Sequence, residues 1–516
     1  MSTESCTDKR EIDGRKEPGL FEFKARFSAV RLALDKPWLK RLIIAGAIVA
    51  PVAYSFVINY REIDSPPAWD SAVTVSPAAL TIVDLDFDVW AVAQLPSSPE
   101  GGPSTHATSI YTIALAILIS ALGVSTAFSV AHLISIALIG LLTSAAYLLA
   151  RERASVLVSA LVAATIGLLP VVVQQAADIY LDLPLAVVTT FACWTASRRQ
   201  FWWTGGLALV GVAIKTSGVF LLPLLLISKP ADRSFPRHLL YAVPAGLVAS
   251  VPFLLSLATT HRFTYETNPF ADPILIRSSA SLLVLTVDVF LVLAIYVLVM
   301  YGRARSRMLD RPSQASIIVV ASFLLVHLAT ILLSGTIAIL PRYYIAVLPA
   351  VLAALIPPQP EPAPERLPRY RVGVGLVIVL AVFSCLNVRG DFYPLPDHDF
   401  YVAAERSTRA QDLLELHVIG TRELVATDLP ILVERQVYFR LEYPGMGYVD
   451  KTPDDMTPVF IEPDTALPDT FAMLIERRFT NPLVEIEEAA LDLGYELDYQ
   501  DFSVGPYESQ LVVASR

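Results

Sequence analysis

Asp70 closes the string Pro66-Pro67-Ala68-Trp69-Asp70, about ten residues past the end of the first long apolar run. An ionised carboxylate there can take a proton from an attacking hydroxyl at a membrane surface. The plainer reading is a solvated loop acid. Asp178 and Asp182 stand four apart in Gln174-Gln175-Ala176-Ala177-Asp178-Ile179-Tyr180-Leu181-Asp182-Leu183-Pro184. They share one face if a helix continues through them. They can then bind a metal, orient an acceptor or assist a base, or merely cap a helix end. Lys215 interrupts two apolar stretches, Leu207–Ile214 and Val219–Leu226. An ammonium is costly among apolar residues in lipid, so by default it marks function; the alternative is snorkelling to the interface. The amides of Thr216, Ser217 and Gly218 that follow would open a new helix, which also favours an anion. Arg342, in Leu340-Pro341-Arg342-Tyr343-Tyr344, offers paired donors that suit phosphate, or serves as an interfacial anchor.

Four further polar residues belong to this group. Asp288 and His327 lie at matching depth on consecutive apolar runs, which predicts a buried pair, structural or lining a pocket. His132 lies at a similar depth. His106, in Pro103-Ser104-Thr105-His106, precedes an apolar helix and is a satisfied loop histidine or an acceptor contact.

These residues need elements to hold them. Runs long enough to cross a bilayer lie at about 42–60, 126–149, 155–173, 239–257, 281–301, 315–335 and 372–388. Shorter ones lie near 184–197 and 343–357, and 201–228 reads as two short helices broken around Lys215-Thr216-Ser217-Gly218. The stretch 108–123 reads as a helix in or near the interface. About 11 crossings plus that helix follow. Lysine and arginine number 24 on one set of connectors and 4 on the opposite short loops. By the positive-inside rule, the N-terminus is cytoplasmic and the C-terminal region lies outside. Asp70, Asp178, Asp182 and Arg342 then share the outer side.

Composition agrees. The 516 residues are 54% hydrophobic and only 17% charged, with a net charge of −10. That excludes an ordinary cytosolic enzyme and a general nucleic-acid binder. Residues 389–516 hold 25 of the 49 acidic residues and 10 of the 39 basic ones. The expected organisation is a cytoplasmic tail (1–41), a membrane body (42–388) and an acidic soluble extracytoplasmic domain (389–516). Thr408–His417 and Pro482–Leu493 look helical, Leu424–Val425, Ala472–Ile475 and Leu511–Ala514 look extended, and Gly445 and Gly447 mark a loop. A small α/β domain follows. The fold class is therefore mainly α: a polytopic membrane helical bundle with a small C-terminal α/β domain. Cys6, Cys193 and Cys385 stand far apart without a Cys-x-x-Cys, so neither a disulfide framework nor a zinc site is expected. The polar N-terminal stretch does not read as a cleavable signal peptide.

Four segments in order resemble the GT-C superfamily of polytopic glycosyltransferases, in the branch of protein O-mannosyltransferases and lipid A aminoarabinose transferases. They are Pro66-Pro67-Ala68-Trp69-Asp70, Leu181-Asp182-Leu183-Pro184-Leu185, Gly205-Gly206-Leu207-Ala208-Leu209 through Lys215-Thr216-Ser217-Gly218, and Arg342-Tyr343-Tyr344 through Pro349. The family often carries Asp-Glu where this chain has Asp70-Ser71, and a Pro-Pro pair near Pro103-Ser104. The resemblance implies transfer of a sugar from a polyprenyl phosphate to an acceptor hydroxyl on a glycan, protein or lipid at the outer face, with inversion. Asp70 would be the base. Asp182, with Asp178, would position the acceptor or the sugar, and Lys215 and Arg342 would hold the departing phosphate. No cofactor is required by the sequence; a divalent metal on Asp70 and Asp182 stays open. The main rival is a flippase or transporter of a lipid or lipid-linked sugar. Such proteins usually show internal repeats or matched broken helices, whereas 201–228 is one broken segment without a counterpart.

Overall fold

The computed structural model describes residues 36–68, 71–95, 106–228, 287–305, 309–334, 341–356, 375, 410–458, 467–476, 482–505 and 507–516. Asp70, the run 239–257 and nearly all of 372–388 lie outside the described residues.

Helix α1 (Pro37–Ile58) starts on a proline, whose missing N–H costs nothing at a helix start. It keeps Leu42, Val49, Phe56 and Val57 exposed. Helices α2 (Ser76–Asp84), α3 (Val89–Ala93) and α4 (Ile110–Leu122) follow. Gly123, at φ +79°, turns the chain from α4 into α5 (Val124–Arg151) in a conformation that favours glycine. Among the described residues, α1 and α5 are long and apolar enough to cross a membrane. At 1.5 Å per residue, α4 reaches only about 20 Å, short of a hydrocarbon core of about 30 Å. The bundle continues through α6 (Val156–Gly167), α7 (Pro170–Gln175), α8 (Asp182–Ser197), α9 (Phe201–Ile214), α10 (Leu224–Ser228), α11 (Val287–Arg305), α12 (Arg311–Ser334), α13 (Pro341–Tyr344) and α14 (Leu348–Leu355). Exposed apolar side chains such as Ile117, Leu133, Leu141, Leu157, Leu298 and Leu325 recur on α4, α5, α6, α11 and α12. Such surfaces suit lipid and would be penalised in water.

The two ends of the bundle differ. At one end the charged connectors bind one another: Arg153 pairs with Asp310 at 2.9 Å and donates to the Ala354 carbonyl at 2.8 Å. Arg303 donates to the same carbonyl, and Arg198 pairs with Glu152 at 2.8 Å. At the other end sits the C-terminal domain.

Among the described residues that domain opens with α15 (Ala410–Ala426) and carries a five-stranded sheet of order β2-β1-β3-β5-β4. The strands are β1 (Ile431–Val433), β2 (Met456–Pro458), β3 (Thr470–Glu476), β4 (Glu496–Val504) and β5 (Tyr507–Ser515). β1 runs parallel to β2 and β3; β5 is antiparallel to both β3 and β4. Alternation splits β3 between two faces. Phe471, Met473 and Ile475 pack with Leu483 and Ala490 of α17 (Pro482–Asp492). Ala472 and Leu474 join the core on the side of α15, where Leu474 lies against Gly420. The short helix α16 (Arg435–Glu442) packs against the turn Ser71–Val75 of the bundle. Leu424–Val425, expected as extended, lies inside α15. Leu413, Leu414, His417, Thr421 and Leu424 are all buried there, a spacing of three and four that a helix satisfies.

The first loop beyond α1 is held by this domain. Gln411 Nε2 donates to Asn59 Oδ1 at 3.1 Å, Tyr443 donates to Thr81 Oγ1 at 3.2 Å and Tyr448 donates to the Pro67 carbonyl at 2.9 Å. Glu62 lies at the same contact. Burial, and then the carboxylates of Glu415 and Asp412, hold its carboxyl above the usual range, against a hydrogen bond from Ser65 and the charge of Arg61. Glu62 therefore keeps its proton more tightly in the folded protein than in the unfolded chain. Its contribution to stability is full at low pH and is lost as pH rises through the raised value. Glu62→Gln is expected to unfold at the wild-type temperature near about pH 4 and at a higher temperature near about pH 8. Parallel melting curves across that range check it; a variant equally stable at both ends would refute the assignment.

Candidate functional site

Asp182 is the centre of the described site. Its backbone begins α8, and the reason is local: Pro184, lacking an N–H, belongs in a first helical turn. The helix expected to carry Asp178 and Asp182 on one face is therefore interrupted. α7 ends at Gln175, residues 176–181 form the connection, and the two carboxylates face different partners. Asp178 accepts from Gln174 Nε2 at 3.3 Å. Asp182 Oδ1 accepts from Lys215 Nζ at 2.7 Å, and Arg342 Nε approaches its Oδ2 to 3.7 Å.

Lys215 reaches this position because α9 ends at Ile214 and the chain turns sharply. Lys215 is extended, the 3-10 turn Thr216–Leu221 follows, and α10 leads away. Two glycines permit the fold-back. A Cβ on Gly218 would lie 2.3 Å from the Gly211 carbonyl oxygen, and one on Gly211 would lie 2.5 Å from Leu221. No side chain fits at Gly218 unless the backbone moves. The Gly218 amide donates to the Lys215 carbonyl at 2.8 Å. It thus closes the turn and takes up one of the three expected amides, while Thr216 and Ser217 open the 3-10 turn. Ser109 holds the same place from outside, its hydroxyl donating to the Ile214 carbonyl at 2.7 Å. That bond brings the segment containing His106 to the Lys215 turn, since Ser109 N donates to the His106 carbonyl.

Arg342 is buried on α13. Its guanidinium lies 4.9 Å from the centre of the Tyr180 ring and 5.2 Å from that of Tyr343. The Lys215 ammonium lies 4.5 Å from the Tyr343 ring, so one aromatic face system serves two cations. His327 adjoins this group. Its ring is 5.8 Å from Tyr343 and 4.0 Å from Phe323, and Nδ1 lies 3.0 Å from the Phe323 carbonyl. The expected partner Asp288 belongs to α11, and its side chain, like all of Asp70, lies outside the described residues. Asp182, Lys215, Arg342 and His327 are thus brought together, and Asp178 accepts from Gln174. Tyr180 and Tyr343 were not singled out in the sequence, although each stands within two residues of a singled-out charge.

Among the described residues the cluster holds two cations and one carboxylate in a largely buried place. Such an arrangement suits an anionic group, and guanidinium and ammonium together suit a phosphate. Among the described residues no group of three or more His, Cys, Asp or Glu side chains could hold a metal ion.

Position 70 is flanked by anchored backbone. Asn59, buried at the end of α1, donates to the Val173 carbonyl at 3.0 Å and so joins the first loop to α7. His132, buried on α5, faces backbone at both Ser65 and Ala177.

No protein-family model matches the sequence, and no curated protein matches it. Two solved structures are similar to it: ArnT from Cupriavidus metallidurans in the apo state and the same protein bound to undecaprenyl phosphate. The first is 15% identical, with a TM-score of 0.46, over 91% of this chain and 98% of that one. The second is 14% identical, with a TM-score of 0.44, over the same shares. Likeness at that level assigns no activity.

Proposed function

We propose that the chain is a membrane glycosyltransferase that moves a sugar from a polyprenyl phosphate to an acceptor hydroxyl at the outer membrane face. The observation that supports this best is the convergence of Lys215 and Arg342 on Asp182, 2.7 and 3.7 Å away, with Tyr343 against both cations. In the proposed reaction Asp70 takes the proton of the acceptor hydroxyl. The acceptor oxygen bonds to the anomeric carbon while the bond from that carbon to the phosphate oxygen breaks, with inversion. The electron pair leaves with the phosphate, which gains one negative charge. Lys215 and Arg342 are suited to hold that growing charge, so their effect is larger in the transition state than in the bound donor. A phosphate leaves readily without a general acid, and the reaction needs cations more than a second acid there.

In this reading about 11 segments cross the membrane, the N-terminal tail is cytoplasmic and the acidic domain of 389–516 lies outside. Asp178, His106 and His327 line the acceptor or sugar side. Mass spectrometry of surface glycans tests the reading, using a deletion strain complemented with wild type or Asp70→Asn. One sugar should disappear on deletion and return only with wild type. Full return with Asp70→Asn would remove Asp70 from the mechanism. Lipid movement across the membrane without sugar transfer would replace the enzyme by a flippase.

A further inference from the structure

The loop that ends at the proposed base is not an open loop. Pro67, Ala68 and every residue from Ser71 to Leu80 are buried. Much of what covers them belongs to the C-terminal domain. Gly447, at φ +93°, brings the chain beside Pro66, and Gly445 lies beside Val124 and Leu80. Tyr448, fully buried, donates to the Pro67 carbonyl three residues before position 70.

Tyr448 is itself held from behind. Arg422 Nε donates to its carbonyl at 3.4 Å. The Arg440 guanidinium lies 5.6 Å from its ring and is paired with Glu476 at the end of β3. Arg440 and Glu476 are both buried, so this pair is rigid and costly to break. A continuous path of contacts therefore runs from the central strand of the sheet, through Arg440 and Tyr448, to the backbone that leads into residue 70. Gln411 on Asn59 and Tyr443 on Thr81 fix the two ends of the same loop.

From these contacts we infer that the C-terminal domain is a clamp on the first outer loop, and that Tyr448 is a positioning residue for the backbone of that loop at Pro67. The catalytic half of this inference rests on the glycosyltransferase reading; the clamp does not. A small displacement of a reacting group can cost orders of magnitude in rate, so one hydroxyl far along the chain can govern turnover without touching substrate.

Hydrogen exchange of the full-length protein in detergent separates the possibilities, with Tyr448→Phe as the main variant and Gln411→Ala as the second. Tyr448→Phe should raise amide exchange in 71–80 about tenfold, the order expected for one lost buried hydrogen bond. Exchange in 211–221 should stay unchanged, as should binding of undecaprenyl phosphate. The same variant should lower the glycan product by at least about tenfold in complemented cells. Gln411→Ala should loosen 59–65 in the same way. Exchange confined to 435–458 in Tyr448→Phe, with 71–80 as in wild type, would overturn the clamp. Raised exchange in 71–80 with full glycan product would overturn the positioning role. If Asp70→Asn keeps full product, Asp70 leaves the mechanism, while the exchange result still decides the clamp.

Discussion

Lys215→Ala is expected to weaken binding of undecaprenyl phosphate by at least about a hundredfold, the equivalent of roughly 2.7 kcal/mol. The effect is electrostatic. Among the described residues two cations surround one carboxylate; without the ammonium, Asp182 offsets the charge of Arg342 and the attraction for an anion falls. Charge-assisted hydrogen bonds contribute about 1.5–3 kcal/mol each, and Lys215, less buried than Arg342, is the one a ligand reaches first. A titration of the purified protein, read by thermal shift or by calorimetry, measures the effect. Lys215→Arg should retain part of the binding, because charge survives while the point-like ammonium does not. Binding by Lys215→Ala equal to wild type would remove Lys215 from the phosphate site.

Asp182→Asn should act in two opposed ways. The unliganded protein should lose roughly 3 kcal/mol, because the largely buried Lys215 ammonium loses the carboxylate it donates to. Undecaprenyl phosphate should nevertheless bind about tenfold more tightly, because the competing carboxylate is gone and the phosphate replaces it. The stabilisation by saturating ligand should therefore be larger in the variant than in wild type. Melting curves with and without the lipid phosphate measure both effects. If the variant is no less stable and binds the lipid as wild type does, Asp182 is not the shared counter-ion. A role toward the acceptor, as the sequence motif implies, would then be the better account.

The parts of this site that could be read from the sequence are those whose cost is local. An ammonium at position 215 between apolar stretches is costly wherever the chain goes, so Lys215 stood out; Arg342 stood out beside Pro341 and paired tyrosines. The coupling of Lys215 to Asp182 was not readable, since no periodicity links residues 33 apart. The spacing of Asp178 and Asp182 suggested one helix face, but Pro184 restarts the helix and separates them. The extended pieces near 472–475 and 511–514 were visible as apolar runs, and both fall in strands. Strand β4 mixes Glu496, Asp498 and Asp501 with Leu497, Tyr499 and Phe502 on a largely exposed edge and carries no such apolar run. The contact of Tyr448 with Pro67 spans 381 residues and exists only in the folded chain.

The double anchorage of the Ala354 carbonyl has a mechanical consequence. Arg153 and Arg303 both grip the far end of α14, so that end behaves as a fulcrum. Arg342 sits at the opposite tip, beyond the short turn 345–347. Backbone movement at Arg342 would then be a tilt about the pinned end or a flexing of that turn. A sliding of the whole segment along its axis is blocked.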